Sequence, residues 1–373
     1  MPRILVLSKR QYTNKDLIDD RFGRLREIPL ALSRRGYDVE GLCLSYTLKP
    51  EGRFQDEGVL WQSFNLSLLK LPKFIKYINT ANRIAQKSDL IWACSDSIYG
   101  IIGFFIARRH NIPLVFDLYD NFEYFFFGRL PLIKQLYFLS LRKCAAVTCV
   151  SAPLAERIIV IRRRSNITVI ENAVRTDIFK PMDKKGCRQF LGLPERGTFI
   201  GTAGAIHRNR GIETLFEAFQ HLKVKIPDLH LVLAGRWDAG VPRSQDERIH
   251  YLGELPLEKV PFVFNSLDLG VICNLDNEFG RYCFPQKAHE ITACHVSFIA
   301  ANVGSMARFL SNTPHRLFQP GNAESLMQSI IFNLQNHTPI PSRQPTWNEM
   351  AQKMEMVIQN AIYPSDYGDN TLR

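Results

Sequence analysis

The chain has 373 residues, of which 46% are hydrophobic and 22% charged, a balance typical of a folded globular protein and not of a disordered or fibrous one. The length exceeds one typical core and predicts two domains of roughly 150–200 residues each. Eight cysteines lack the spacing of a zinc site, so we expect reduced core thiols in a cytoplasmic protein. No apolar run reaches the ~18 residues that span a bilayer, and the start of the chain reads as a strand and not as a signal peptide.

The excess of basic residues is confined to the first half. Residues 1–182 contain 28 Lys and Arg against 17 Asp and Glu, whereas residues 183–373 contain 19 of each. The whole net charge of +11 therefore belongs to the first half. This asymmetry predicts an anionic partner for that half, which would be a membrane surface, a nucleic acid or a phosphorylated substrate.

Predicted strands alternate with helices along both halves. A strand at 4–7 leads through a basic loop to an amphipathic helix at 24–34, which Gly36 ends, and a strand at 39–44 follows. The later strands of the first half are predicted at 90–93, 114–118, 146–150 and 167–170. Those of the second half are predicted at 198–203, 230–234, 249–252, 269–272 and 297–300.

These strands are apolar throughout, which is typical of parallel sheets that helices cover on both faces. The predicted fold class is therefore α/β, with two Rossmann-like parallel-sheet domains. The polar stretch at 180–186 holds Pro181 and Gly186 and is the best boundary. We predict domains at 1–182 and 183–345, followed by an amphipathic helix and a tail at 346–373.

The segment from Gly204 to Gly211 predicts an anion site. It joins a buried strand to a helix that opens near Gly211, and it carries Arg208 and Arg210. Small residues let a ligand approach the backbone, and a helix N-terminus with two arginines favours phosphate. The segment is neither a Walker A loop nor G-x-G-x-x-G, which weakens the ATPase and dinucleotide interpretations. A tight turn with solvated arginines is the alternative.

A second polar segment precedes the strand at 297–300. Pro285 is expected at the first position of a helix, where its missing N–H is harmless, and Glu290 on the second turn. The Glu290 carboxylate can accept hydrogen bonds from ribose hydroxyls while the start of the helix faces phosphate. A solvated glutamate on a surface helix is the alternative.

Together these motifs resemble the second domain of the GT-B glycosyltransferases of the family-4-like, group 1 type, which take a sugar from a nucleotide diphosphate. Gly204 to Gly211 is similar to the phosphate loop of that family, with Arg210 in the lysine position. Its P-x-K-x-x-E helix start is matched by Pro285, Lys287 and Glu290. The other matches are 169–174, Phe179, Pro181, 231–235, 320–326 and the helix of Trp347. The similarity is dense over 170–362 and looser before it.

The resemblance implies a GT-B fold, with two domains facing a central cleft and a C-terminal helix that crosses back. It implies retaining transfer of a hexose from a nucleotide-sugar donor to a glycan or lipid-linked acceptor, in the synthesis of a cell-surface polysaccharide or glycolipid, with no cofactor. The residues expected in catalysis are Arg210, Lys287 and Asp120. The expected donor contacts are Gly204, Arg208, Arg210, Gly235, Arg236, Gly253, Leu255, Glu278, Pro285, Gln286, Lys287 and Glu290.

Three positions depart from the family's pattern. Ala205 stands where an arginine usually follows the first glycine of the phosphate loop, so Arg208 or Arg210 must neutralise the diphosphate. Tyr282 stands at the place of the family's first glutamate, and Glu278 is the only nearby carboxylate. The Gly-Gly turn after the first strand is replaced by Ser8-Lys9-Arg10-Gln11-Tyr12.

The first domain is expected to bind the acceptor through Tyr12, Arg24, Tyr119 and Asp120. Tyr119 and Asp120 follow the strand at 114–118, where such enzymes often keep a His-Asp pair. An Asx turn is the alternative for Asp120. The sequence contains no D-x-D motif, so we expect no metal dependence.

The segment 122–143 combines aromatic residues with cations. Apolar area beside Lys and Arg is typical of a peripheral contact with an anionic bilayer, and the basic run 162–164 supports that interpretation. A helix that is apolar nearly all round can equally be buried. We predict peripheral contact of the basic first domain with the inner face of the membrane, and no nucleic-acid partner.

Two other functions stay open. The departures at Ala205 and Tyr282 leave room for a protein that binds an anionic partner and has lost or altered its catalysis. A nucleotide-sugar epimerase is the other alternative, for which His207 and His289 are the candidate acid/base groups. Solvated or core positions are the favoured interpretation of both histidines.

Overall fold

The computed structural model describes residues 1–12, 15–66, 71–164, 166–336 and 343–364. They form two compact units: the first combines Met1–Asn172 with the segment that begins at Trp347, and the second is Ala173–Thr346. The stretch predicted as the boundary belongs to the second unit. There Asn265 accepts a hydrogen bond from Met182 N and donates one to Lys180 O, which ties this stretch to the unit's own helix.

The first unit is built on one large sheet. Its strands are β1 (Arg3–Lys9), β2 (Gln11–Tyr12), β3 (Lys15–Asp16), β4 (Asp38–Ser45), β5 (Gly52–Asp56), β6 (Val59–Asn65), β7 (Leu90–Ala93), β8 (Leu114–Leu118), β9 (Ala146–Cys149) and β10 (Ile167–Val169). Eight strands lie in the order β10-β9-β8-β7-β1-β4-β6-β5, and β2 pairs with β3. The edge strand β5 runs antiparallel to β6, whereas β1 is parallel to both of its neighbours.

Helices cover this sheet. They are α1 (Arg24–Arg34), α2 (Leu71–Ala85), α3 (Ser97–His110), α4 (Phe126–Arg129), α5 (Pro131–Lys143) and α6 (Ala152–Arg162). Helix α1 has the predicted bounds, and the predicted stripe of Leu25, Ile28 and Leu32 is fully buried. Backbone N–H groups at the starts of α3 and α6 are capped by the side chains of Asp96 and Ser151.

The second unit is a smaller sheet of parallel strands in the order β13-β12-β11-β14-β15-β16. These strands are β11 (Thr198–Ala203), β12 (Leu229–Ala234), β13 (Ile249–Tyr251), β14 (Leu269–Ile272), β15 (Phe298–Ala301) and β16 (Leu317–Phe318). Its helices are α7 (Lys184–Phe190), α8 (Ile212–Lys225), α9 (Val260–Ser266), α10 (Glu278–Tyr282), α11 (Lys287–Ala293), α12 (Gly304–Phe309) and α13 (Ala323–Gln335). The core is aliphatic, since Ile200, Leu231, Leu269 and Ile299 are fully buried.

Each sheet changes its winding direction at one place. In the first unit the chain winds outward from β1 through β4 to β6, and then from β7 to β10 on the other side. In the second unit the same change lies between β11 and β14. Ligands bind outside the carboxyl ends of the strands at such a switch point, because the flanking crossovers leave in opposite directions and open a crevice.

The C-terminal helix α14 (Trp347–Ile362) returns to the first unit, as predicted, and packs on α1. Its buried stripe includes Met350, Met354 and Ile358, and Arg35 Nε donates to Glu355 at 2.7 Å. The predicted tail at 365–373 lies outside the described residues. All eight cysteines are buried free thiols. Within the part of the chain that the structure describes, no helix is long and apolar enough to span a membrane.

Candidate active site

Glycines form the carboxyl edge of the second sheet beside its switch point. Gly204, Gly235 and Gly253 follow β11, β12 and β13, and their φ angles of 119°, 122° and 73° lie in the region that favours glycine. A Cβ at Gly235 would lie 2.1 Å from the carbonyl oxygen of Gly204. Gly235 N donates to Gly253 O at 2.7 Å. The edge is therefore bare backbone, which a ligand can approach closely.

The ammonium of Lys287 lies against this edge. Its Nζ donates to Thr202 Oγ1 at 3.0 Å and would be 3.3 Å from a Cβ built on Gly204. The pKa of Lys287 is lowered from 10.5 to about 8, chiefly by burial and next by the Arg210 guanidinium, while Glu290 opposes the change. Two cations that destabilise each other in a buried place would both be stabilised by a bound anion.

The two arginines of the phosphate loop have different surroundings. They lie in a short 3₁₀ turn, Arg208–Arg210, before α8. Arg210 Cζ is 4.9 Å from the ring centroid of Phe279, a cation–π distance, and its charge acts on Lys287. Arg208 is exposed and donates to Glu213 at 2.7 Å. Arg210 is therefore the arginine that the fold places with Lys287.

The helix that carries Glu290 begins later than predicted. Helix α11 starts at Lys287, so Pro285 precedes it, and Glu290 lies on the first turn and not the second. Gln286 has helical dihedrals and acts as the N-cap, which leaves Pro285 outside. Glu290 is buried at 8% exposure and accepts a hydrogen bond from Gln286 Nε2 at 3.0 Å. Burial raises its pKa from 4.5 to about 7 against the opposing effects of Lys287 and Gln286. The solvated alternative for Glu290 is therefore wrong.

We call Gly204, Arg210, Gly235, Lys287 and Glu290 the second-unit site. Three other predicted donor contacts are more open to solvent. Glu278 is exposed at the start of α10, Arg236 is exposed, and Leu255 is half-buried. Asn277 caps α10 and its Nδ2 donates to Asn209 O at 3.1 Å, which links α10 to the phosphate loop.

The two histidines considered for acid/base chemistry occupy ordinary structural positions. His289 stacks on Phe284 with ring centroids 4.7 Å apart, and its Nδ1 lies 2.9 Å from Gln344 Oε1. Burial lowers its pKa to about 4, so it is neutral at physiological pH. His207 is partly exposed and pairs with Asp238 at 3.2 Å.

At the switch point of the first sheet, Lys9 ends β1 and Ser95 follows β7. Ser95 has a φ of 97°, which is strained for a residue with a side chain. Its Oγ accepts a hydrogen bond from Lys9 N at 3.0 Å, and its carbonyl oxygen accepts one from Tyr119 Oη at 2.8 Å. These two bonds hold the strained residue, which places Asp96 at the start of α3.

The Lys9 ammonium faces carboxylates and rings. Its Nζ lies 5.5 Å from the centroid of the Tyr119 ring and 5.7 Å from that of Phe125. Burial lowers the pKa of Lys9, and Asp96 and Asp120 oppose that change. Burial also raises the pKa of Asp96. We call Lys9, Ser95, Asp96, Tyr119 and Asp120 the first-unit site.

Two of the predicted acceptor contacts, Tyr119 and Asp120, thus belong to the first-unit site. The Asx turn expected as the alternative is made by the next residue, since Asn121 Oδ1 accepts from Glu123 N at 3.2 Å. Asp120 is partly exposed and accepts from Asn121 N at 2.8 Å. Tyr12 lies in β2, and its side chain lies outside the described part of the structure.

The prediction that Arg24 contacts the acceptor is wrong. Its side chain is fully buried and forms a two-pronged ion pair with Asp117, at 2.8 and 3.2 Å. It also donates to Ile170 O at 3.0 Å. These partners of the Arg24 guanidinium lie inside the first unit, so the ion pair holds α1 to the sheet.

Sequence reasoning missed Lys9, Ser95, Asp96 and Thr202. Ser95 and Asp96 carried a readable signal, because Ser95-Asp96-Ser97 follows a buried strand and opens a helix. Thr202 gave none, since it sits inside an apolar strand. Among the described residues, no group of three or more His, Cys, Asp or Glu side chains is placed to hold a metal ion.

Two family models match the chain. A model described as Glycosyltransferase Family 4 matches residues 25–178, and one described as Glycosyl transferases group 1 matches residues 197–336. The first covers most of the first unit, and the second covers the strands and loops of the second-unit site.

Curated relatives match parts of the chain at about 25% identity. A D-inositol 3-phosphate glycosyltransferase of Stackebrandtia nassauensis is 24% identical over 193 residues, which is 48% of this chain and 42% of that protein. The GPI3 subunit of the Saccharomyces cerevisiae phosphatidylinositol N-acetylglucosaminyltransferase is 25% identical over 256 residues, 64% of this chain and 55% of that protein. The chain thus spans about half the length of these relatives.

Solved structures share the fold over nearly the whole chain. The sucrose-phosphate synthase of Thermosynechococcus elongatus has a TM-score of 0.73 at 17% identity, covering 97% of this chain and 95% of that one. Anabaena HepE in complex with UDP-glucose has a TM-score of 0.68 at 16% identity, covering 97% and 96%. With both family models and this fold, the chain belongs to the group 1 glycosyltransferases of the GT-B type.

Proposed function

We propose that this protein transfers a hexose from a nucleotide-diphosphate sugar, bound at the second-unit site, to an acceptor bound by the first unit. The observation that carries the proposal is the Lys287 ammonium against the glycine edge, beside Arg210 and Glu290. Anabaena HepE is seen in complex with UDP and with UDP-glucose, which supports a nucleotide-sugar donor.

In this proposal the diphosphate lies against Gly204, where Lys287 and Arg210 neutralise its charge. Fixed cations that face the leaving group stabilise the negative charge that develops as the glycosidic bond breaks, which is usually the largest catalytic contribution. The Glu290 carboxylate accepts the ribose hydroxyls, and the backbone around Gly235 and Gly253 holds the base. Transfer is retaining and needs no metal. Product anomers by NMR and activity in EDTA test these two points.

Two substitutions test the donor assignment. Arg210→Ala and Glu290→Ala should each abolish transfer and weaken donor binding, measured by calorimetry against a panel of UDP- and GDP-sugars. Lys225→Ala and Glu217→Ala are matched controls, because both residues are exposed on α8. Full activity of both site variants would refute the assignment. Donor binding without transfer to any acceptor would favour a binding protein, and release of a donor epimer would favour an epimerase.

We place the acceptor hydroxyls at the first-unit site. Carboxylates and a lysine beside aromatic rings suit a sugar or polyol, whose hydroxyls both donate and accept and whose C–H faces pack on rings. The relatives' names point to inositol phosphate and phosphatidylinositol as the first acceptors to try. Transfer to either, lost in Asp120→Asn while donor binding persists, would support this placement.

We also propose that the outer face of α3, α5 and α6 contacts an anionic membrane that carries the acceptor. Exposed apolar side chains line it, with Leu132 at 66% and Val160 at 74% exposure. Leu132 and Leu139 lie seven residues apart and so share one face of α5. Exposed cations stand beside them, namely Arg142, Lys143, Arg163 and Arg164. Apolar area with adjacent cations suits the surface of an anionic bilayer.

Part of the sequence argument for that contact is wrong. Arg162 of the basic run is buried, and its guanidinium donates to Cys144 O at 2.9 Å. Phe122 and Tyr137 are buried too, so they belong to the core. Co-sedimentation with phosphatidylglycerol vesicles tests the remaining surface. Leu132→Gln/Leu139→Gln should lose binding, and Val224→Gln, at the still more exposed Val224 on α8, should not. Equal binding by all three proteins would refute the contact.

A further inference from the structure

A second concave surface lies in the first unit. This cavity of about 380 Å³ is lined by the charged or polar residues Arg3, Glu40, Arg53, Gln62, Arg83 and Lys87. Its volume falls in the range of small-molecule sites, roughly 300–1,000 Å³. We call it the basic cavity.

The basic cavity is separate from the first-unit site. Arg3 is the first residue of β1 and Lys9 is the last, so the two lie at opposite edges of the sheet. Six residue steps along a strand span about 20 Å. The cavity therefore serves neither the switch point nor the acceptor placed there.

The carboxylate of Glu40, which lines the cavity, already has a hydrogen-bond partner for each oxygen. The two oxygens of the Glu40 carboxylate accept from Arg3 Nη2 at 3.0 Å and from Gln62 Nε2 at 2.7 Å. Arg3 also pairs with Asp38 at 3.2 Å. Glu40 thus neutralises Arg3 and leaves the other cations of the cavity unopposed.

Three cations remain: Arg53 from the edge strand β5, Arg83 near the end of α2, and Lys87 just beyond it. Across the described ranges, these three exposed side chains have no ion pair with a carboxylate. The C-terminal end of a helix attracts cations, which accounts for Arg83 and Lys87 alone. It does not account for Arg53, which converges on them from the sheet.

We propose that the basic cavity binds a phosphate-bearing ligand. Arginine presents paired N–H donors that match phosphate oxygens, and lysine adds a point charge. The three side chains are exposed, so a phosphate can reach them from solvent. The same chemistry belongs to a soluble phosphate ester and to the headgroup of a phosphorylated lipid. The site accounts for part of the basic excess of residues 1–182, which a donor site in the second unit does not explain.

Calorimetric titration with pyrophosphate tests the proposal on the full chain. The wild type should bind at two sites, of which Arg210→Ala removes the one in the second unit. Arg53→Gln/Lys87→Gln should remove the other, with affinity falling about tenfold per cation lost. The control, Lys76→Gln/Lys353→Gln, removes two exposed cations of the same unit that lie outside both the cavity and the proposed membrane face.

The outcomes separate this site from the proposed function. If Arg53→Gln/Lys87→Gln titrates like the wild type, or if the control loses as much affinity, the cavity is not a phosphate site. If Arg210→Ala changes nothing while the cavity variant loses a site, the donor assignment fails and the cavity stands. Vesicles of phosphatidylcholine with phosphatidic acid identify the source. The Leu132→Gln/Leu139→Gln background removes the proposed contact through α5. In that background a lipid headgroup predicts that the cavity variant loses the remaining vesicle binding, and a soluble ester predicts that it loses pyrophosphate binding alone.

Discussion

The two sheets are wound alike, yet their carboxyl edges carry opposite chemistry. At the edge of the second sheet, Lys287 lies against bare glycine backbone, and the charge of Arg210 acts on it. At the edge of the first, Lys9 faces Asp96, Asp120 and aromatic rings. The second half of the chain is neutral overall and has the cationic edge, whereas the basic half has the edge with carboxylates. Net charge therefore describes the outer surface of a domain and says little about its binding edge.

Internal ion pairs account for part of this contrast. Arg10, Arg24, Arg26 and Arg162 of the first unit are buried, and their guanidinium groups are occupied by the unit's own carboxylates and carbonyls. Such pairs hold helices and loops to the sheet and contribute nothing to ligand binding. Four measurements test this contrast between the two edges.

The largest expected effect concerns a cation of the first unit. Arg24→Leu should lower the free energy of unfolding by about 3–5 kcal/mol, because it leaves the buried Asp117 carboxylate without its partner. Urea denaturation measures the change. Arg34→Leu is the control on the same helix, since Arg34 is exposed and its pair with Glu57 is worth at most ~1 kcal/mol. A folded Arg24→Leu protein of normal stability with a raised KM for acceptor would restore Arg24 as a ligand contact.

The second effect compares the two lysines. Lys287→Met should weaken binding of whichever UDP- or GDP-sugar the wild type binds by about tenfold to a hundredfold, because hydrogen bonds to a charged phosphate are among the strong ones. Lys9→Met removes the same group from the other edge and should leave donor binding unchanged. Calorimetry on both variants decides the point. Comparable losses in the two would show that the edges are not specialised as described.

The third effect concerns the glycines of the second unit. Gly211 and Gly253 have φ angles of 69° and 73°, so alanine pays a similar strain of ~1–2 kcal/mol at either place. A Cβ at Gly211 would also lie 1.9 Å from Cys273 O, whereas at Gly253 no described atom lies within 4 Å. Gly211→Ala should therefore cost about 1–3 kcal/mol more in thermal or urea unfolding. Equal losses would mean that the phosphate loop is not packed as tightly as the structure has it.

The smallest effect is a pH dependence. In the proposed donor site the Glu290 carboxylate, with a pKa of about 7, would accept ribose hydroxyls best when ionised, so donor binding should weaken as pH falls below 7. Lys287, with a pKa of about 8, loses its charge as pH rises above 8. Affinity for the sugar nucleotide that the wild type binds should peak near pH 7.5 and fall about sixfold at pH 6 and pH 9. Glu290→Gln should abolish the acid limb alone, and a flat profile in the wild type would contradict both assignments.

Local patterns predicted the strands and the phosphate loop because each depends on a few adjacent residues. The helix at 24–34 and the strand at 198–203 have the predicted bounds for this reason. The hairpin of β5 and β6 was missed, since the exposed, polar β5 sits at a sheet edge and lacks a strand-like apolar run.

Some residues of the candidate sites were predicted from the sequence and others were not. Lys287 and Glu290 follow from a motif, but their perturbed pKa values arise from burial, which depends on the packed unit. Arg24 was misjudged because its partner Asp117 lies 93 residues away, and a buried arginine looks like a solvated one in sequence. Lys9 became visible only once parallel pairing brought β1 beside β7.

The return of α14 has a consequence for how the protein is made. Arg35 and its partner Glu355 are 320 residues apart, and the whole second unit lies between α1 and α14. A ribosome adds about 5–20 residues per second, so the nascent first unit waits on the order of ten seconds for its last helix. During that interval the face of α1 that α14 later covers is open to chaperones. Completion of the first unit is therefore a late, long-range event in biosynthesis, although most of its residues are translated first.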